Sequence, residues 1–163
     1  MKHKCTIAAS LVALILGFHQ AASAQGNFGV GFVFGEPTGI SWKVRIFPNN
    51  AIDGAFGFSP SDRFRMHVDY LWETHPFTER NAHLYYGLGG AVGFGRTEYV
   101  RSGRFLIFTD SGDGDFGIRV PVGVDYFIPK SPVEIFLEVS PVLVLTPTSG
   151  LGIDGGIGAR FYL

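Results

Sequence analysis

Beyond residue 24 this sequence of 163 residues has no cysteine. Cys5, the one thiol, lies before an apolar run (IAASLVALILGF, 7–18) that follows Lys2 and Lys4 and leads to Ala22-Ser23-Ala24. A basic start, a short apolar run and a small-x-small end predict a secretory signal peptide over 1–24, cleaved after Ala24. The run is too short for the roughly 20 residues of a spanning helix, and Cys5 is on the wrong side of it for lipoprotein acylation. The mature chain, 25–163, then holds neither thiol nor disulfide. Small exported domains ordinarily depend on disulfides, so something else must stabilise this one.

Positive charge is also scarce. Of 13 Lys and Arg, two fall in the leader, leaving 11 against 14 Asp and Glu. A mildly acidic chain without a basic patch excludes a nucleic-acid partner. No segment after the leader shows a 3.6-residue apolar period, and no low-complexity linker marks a second domain. The mature chain reads as one all-β domain.

Glycine (23 residues) and aromatic residues (15%) are plentiful. Eight segments of alternating character, at roughly 28–35, 40–47, 51–58, 64–73, 83–94, 116–126, 133–143 and 151–163, are separated by turn-forming residues such as PNN, SPSDR, IPKSP and TPTSG. That pattern predicts strands. In FRMHVDYLWE (64–73) one set is Phe64, Met66, Val68, Tyr70 and Trp72; the other is Arg65, His67, Asp69, Leu71 and Glu73. Applied throughout, one face carries no charge. The other carries Lys43, Arg45, Asp53, Arg65, Asp69, Glu73, Arg119, Asp125, Glu134, Glu138, Asp154 and Arg160, together with most strand glycines.

Eight antiparallel strands suggest closure, in one of two senses. A soluble lipocalin-like carrier points its apolar face inward around a ligand, whereas an outer-membrane barrel points it into lipid. The glycines favour the second. The inside of an eight-stranded barrel is cramped, and here the small residues share a face with the charges while bulky rings crowd the opposite one. A Lys or Arg on the lipid face costs about 2–4 kcal/mol at the midplane; inside, the bases and acids can pair across the lumen. The expected fold is an eight-stranded antiparallel up-and-down transmembrane β-barrel. With the N-terminus in the periplasm, Tyr70, Trp72, Tyr86, Tyr126 and Phe161 fall near the periplasmic rim. Phe34, Trp42, Phe58, Phe64, Phe94 and Phe116 fall near the outer rim. These are the two aromatic girdles of such proteins.

The stretches GEPTGIS (35–41), FRMHVDYLW (64–72), LYYGLGG (84–90), GIRVPVGVDYF (117–127), VEIFLEVSPVLVLTP (133–147) and GGIGARFYL (155–163) resemble those of small outer-membrane barrels. The class is typified by the membrane domain of outer membrane protein A. The closer resemblance is to a family of short outer-membrane proteins whose function is not known. It implies outer-membrane insertion, contact with lipid and lipopolysaccharide, and no particular activity. Phe161 and Leu163 resemble the terminal signal read by the outer-membrane assembly machinery, with Leu where Phe is usual.

Several sites are candidates for chemistry. The loop over 95–115 contains Arg96, Arg101 and Arg104 and the apolar run from Phe105 to Phe108. It reads either as a surface contact, to lipopolysaccharide phosphates or an extracellular protein partner, or as two strands extended into a hairpin. Asp110, Asp113 and Asp115 in DSGDGD lack the spacing of an EF-hand and read as a solvated turn. His67 and His83 face the lumen, His75 lies in a turn, and no pair has metal-ligand spacing. Ser59, Ser61, Asp62 and His67 offer the elements of a lipid-modifying enzyme, but His67 sits well inside its strand. Glu36-Pro37-Thr38-Gly39 is a tight turn in which Gly39 permits a positive φ; it suggests no chemistry. Catalytic, cofactor and metal sites are therefore not assigned, and the expected role is non-enzymatic: envelope structure or surface recognition. A narrow pore is the alternative if the inward glycines leave wet gaps.

Overall fold

A computed structural model describes residues 26–59, 64–94, 100–102, 105–107, 114–146 and 149–163. The leader assignment therefore lies outside the described residues. Every described element is a strand: β1 (Phe28–Gly35), β2 (Thr38–Phe47), β3 (Asn50–Phe58), β4 (Phe64–Thr74), β5 (Ala82–Phe94), β6 (Val100–Ser102), β7 (Phe105–Ile107), β8 (Asp115–Arg119), β9 (Val122–Phe127), β10 (Val133–Thr146) and β11 (Gly150–Tyr162).

These strands pair antiparallel with their neighbours, and β1 also pairs with β11, from Gly29↔Tyr162 to Gly35↔Gly156. The sheet is therefore a closed ring of eight staves. Seven are single strands; β8 and β9 together make the eighth, both lying between β5 and β10. The predicted single segment at 116–126 is thus broken at Val120-Pro121. Proline has no N–H to give the ladder. The break is bridged by its neighbours: Gly87 N–H donates to Pro121 O at 2.9 Å, and Val120 N–H donates to Pro141 O at 3.0 Å.

Register fixes the tilt. Cα partners run from Gly29 through Lys43, Asp53, Asp69, Gly89, Arg119 and Val142 to Gly152. The β11–β1 pairing then returns this line to β1 about ten residues above its start. A stagger of that size over eight staves tilts them by about 40° from the ring axis.

The turns divide into two ends. One end has 36–37 and the connections β3–β4, β5–β8 and β10–β11; the opposite end has 48–49, 75–81 and 128–132. Between β5 and β8 the short strands β6 and β7 pair as a hairpin, Val100↔Ile107 to Ser102↔Phe105. The turn after β1 departs from the sequence reading. The positive φ falls on Gly35 (141°), not Gly39, and Gly39 already belongs to β2, paired with Gly57. Thr38 holds the turn: its Oγ1 accepts from Gly35 N–H at 3.1 Å and donates to Gly35 O at 3.0 Å.

Side chains alternate as the pleat requires. Phe32, Phe34, Leu88, Leu137, Leu151 and Ile153 are among the residues that point away from the ring and are exposed. Lys43, Asp53, Arg119, Asp125 and Glu134 point in and are buried. Outside, Trp72 stacks on Tyr86 and meets Tyr70 edge-on at one end. Phe64 contacts Phe58 and Phe94 at the other. Inside, glycines face large side chains across the ladder. Tyr162 covers Gly29, Tyr85 covers Gly123 and Phe136 covers Gly158; a Cβ at any of the three would overlap or crowd the ring above it. The missing side chains let the inward rings lie against the wall.

Candidate functional site

The interior of the ring is the one place where the described residues gather chemistry. Each of the charged strand residues named from the sequence lies there with an ion-pair partner. Nearest the 75–81 end, Lys43 Nζ sits 2.6 Å from Glu73 Oε1, 2.8 Å from Asp125 Oδ2 and 3.7 Å from Glu134 Oε2. Arg45 Nη2 is 3.8 Å from Glu73 Oε2. Its guanidinium carbon stands 4.4 Å from the Phe127 ring centroid and 5.4 Å from that of Tyr162, within cation–π range.

The next tier is organised by Arg160. Its Nη1 donates to Glu134 Oε1 at 2.8 Å, its Nη2 to Asp53 Oδ2 at 2.9 Å and its Nε to Ser41 Oγ at 2.8 Å. The face of Phe136 lies 3.9 Å from the same guanidinium. Tyr162 OH donates to Glu134 Oε2 at 2.6 Å.

Towards the opposite end, Arg119 pairs with Asp69 (Nε–Oδ2 3.0 Å), with Glu138 and with Asp154 (Nη1–Oδ2 3.8 Å). Tyr85 OH donates to Glu138 Oε2 at 3.1 Å. Arg65 closes the series on Asp154, with contacts of 3.1 and 3.3 Å, and on Glu36 Oε1 at 3.2 Å. Ser59 Oγ donates to Glu36 Oε2 at 2.8 Å. Arginine recurs here because its rigid fork can serve several carboxylates at once. Removing one partner from such a buried pair strands its counter-charge.

Four hydrogen-bonding participants, Glu36, Tyr85, Tyr162 and Ser41, were not singled out from the sequence. Glu36 was read as a turn residue without chemistry, yet its carboxylate reaches back into the ring to Arg65 and Ser59; a tilted ring brings that turn over the lumen. Tyr85, Tyr162 and Ser41 fall on the charged face by alternation, which was the signal available for them.

The other candidates disperse. His83 Nδ1 is 3.0 Å from Asp125 Oδ1, and its ring meets that of His75 with centroids 4.4 Å apart. Nε2 of His67 stands 3.8 Å from Asp69 Oδ2. Of the enzyme-like set, Ser61 and Asp62 lie outside the described residues, and Ser59 is bonded to Glu36. In the 95–115 loop, Arg96, Arg104, Phe108, Asp110 and Asp113 lie outside the described residues. Arg101 and Phe105 belong to β6 and β7, and Asp115 opens β8. The loop thus contains the hairpin that was one of its two sequence readings.

A family model described as a protein of unknown function (DUF3996) matches residues 19–161. No curated protein and no solved structure matches the chain.

Proposed function

We propose a function for a chain that belongs to the DUF3996 family of proteins of unknown function: it is an integral outer-membrane β-barrel protein, plugged by its own ion pairs and without enzymatic activity. Its role is in envelope structure or in surface recognition through the 95–115 loop. The observation that carries the reading is the inverted distribution of side chains. Arg119, Lys43 and Glu134 are at most 1% exposed inside the ring, while Phe32, Leu151 and Ile153 are 66–71% exposed outside it.

Soluble monomers rarely expose contiguous apolar patches beyond a few hundred Å². Here the apolar residues recur on every stave and form a continuous belt. Lipid is the solvent that such a belt suits, and the closed ladder meets the demand that no backbone group be left unpaired in hydrocarbon. Aromatic clusters at both ends of the belt match the two interfaces of a bilayer. A soluble carrier of an apolar ligand would need the reverse arrangement. The resemblance to small outer-membrane barrels points the same way. It adds lipid, lipopolysaccharide and the assembly machinery acting on Phe161 and Leu163 as proposed partners, with an extracellular protein as the alternative partner of the loop.

Fractionation tests the proposal. The native protein should stay with outer membranes through carbonate and high-salt washes and leave only with detergent. In vesicles of brominated lipid the emission of Trp72, in a Trp42→Phe variant, should be quenched. Recovery as a detergent-free monomer in the periplasmic fraction would overturn it.

A further inference from the structure

We propose that His67, Asp69 and Glu138 form a binding site for one divalent transition-metal ion inside the ring. One nitrogen and two carboxylate oxygens of these residues, one from each, all lie within 4.8 Å of one another, and all three residues are buried. The inference goes beyond the proposed function, since a barrel plugged by ion pairs alone needs no metal.

Three observations point to a ligand. First, part of the ligand set is free of hydrogen bonds. Asp69 Oδ1 has no hydrogen-bond partner although the side chain is fully buried. His67 makes no hydrogen bond among the described residues, and its only ion-pair distance is the 3.8 Å to Asp69. Buried polar atoms are rarely left so.

Second, the charges around them do not balance. Among the described residues, four carboxylates, of Glu36, Asp69, Glu138 and Asp154, share two guanidiniums, those of Arg65 and Arg119. A divalent cation supplies the two missing positive charges. The tier organised by Lys43 and Arg160 is closer to balance: Asp53, Glu73, Asp125 and Glu134 face Lys43, Arg45 and Arg160.

Third, the neighbouring groups already hold the ligands from behind. Arg119 takes Oδ2 of Asp69 and Oε1 of Glu138, and Tyr85 donates to Oε2 of Glu138. Such outer partners orient ligating carboxylates in metal sites. A small cleft bordered by Glu36, Ser41, His67, Glu138 and Arg160 adjoins the cluster, with room for water to complete the coordination sphere and an acidic residue at its edge. One imidazole with two carboxylates suits zinc and its first-row neighbours, whereas calcium and magnesium prefer oxygen alone.

Calorimetric titration of zinc chloride into the chelator-stripped mature protein in detergent micelles tests the site. One ion per chain is expected. His67→Gln should abolish that binding, while His75→Gln, which removes the ring contact with His83, should leave it intact. Tyr85→Phe should weaken it about 10-fold. Heat-dependent migration on gels reports whether each variant still closes. Should His67→Gln fail to close, the cobalt-loaded native protein decides: visible bands of a nitrogen- and oxygen-ligated ion are expected, and a spectrum equal to free cobalt overturns the proposal. No stoichiometric zinc binding, binding untouched in a closed His67→Gln, or binding lost only in His75→Gln would also overturn it.

Discussion

Nε of Arg119 lies 3.0 Å from Oδ2 of Asp69 across a strand that carries only glycine at that level. The register row reads Asp69↔Gly89↔Arg119, so acid and base are two strands apart and Gly89 is the gap through which they meet. A Cβ there would overlap Asp69 Oδ1 and the carbonyl of Val68. Gly90, next in sequence, faces outward, and the nearest atom to its built Cβ is 3.6 Å away, on Phe116.

Gly89→Ala and Gly90→Ala should therefore differ in effect. The first should lower stability by about 1–3 kcal/mol, the usual cost of forcing atoms into a filled interior. The second should be close to neutral. Urea unfolding from lipid vesicles, followed by tryptophan emission, measures both; equal losses would contradict the inward and outward assignment of these two glycines.

Arg119→Met removes the cation from between Asp69, Glu138 and Asp154 and should cost about 3–5 kcal/mol, the typical penalty for leaving buried charges unpaired. Adding Asp69→Leu and Glu138→Met to the same chain should recover a good part of that loss. The comparison separates the worth of the pairing from the cost of stranding it.

Tyr162→Phe deletes a 2.6 Å hydrogen bond to Glu134. Bonds to charged groups contribute about 1.5–3 kcal/mol, and a loss in that range is expected with the ring over Gly29 unchanged. A variant as stable as the native protein would mean that the Tyr162 hydroxyl adds nothing to the ladder.

Leu137 is 53% exposed on the outer belt. On the proposed membrane placement Leu137→Arg should cost about 2–4 kcal/mol and sharply reduce the amount assembled in outer membranes. The same change on a surface facing water would be tolerated, so normal assembly of this variant would count against the placement.

Planar bilayers holding the native protein should show no discrete conductance steps, because ion pairs and rings occupy the lumen from Glu36 to His83. Phe136→Gly combined with Arg160→Ser removes a ring and the cation stacked on it and is the combination expected to admit ions.

The fold was largely legible because two signals coincide. A period of two assigns each strand residue to one face, and charge and glycine mark the same face in every segment. The charged positions named on that basis, from Lys43 to Arg160, lie inside the ring. What could not be read was who meets whom. Arg160 reaches Asp53 and Ser41, which are over a hundred positions earlier and two or more strands away around the ring. Such meetings depend on tilt and stagger, which arise from closure and not from any local pattern. The break at Val120-Pro121 was missed for a related reason: outward alternation continues through Val120 and Val122, while the hydrogen-bond ladder bends around the proline. Glu36 was missed because a turn residue has no face until the turn is placed over an opening.

The β1–β11 pairing carries a consequence for biogenesis. Until β11 has left the ribosome, β1 has one neighbour and the sheet has two raw margins, each able to template aggregation. No product lacking β11 can close the ring, so both margins stay open until the last strand is made. Maturation must then end in a single zippering event between Gly29–Gly35 and Gly156–Tyr162.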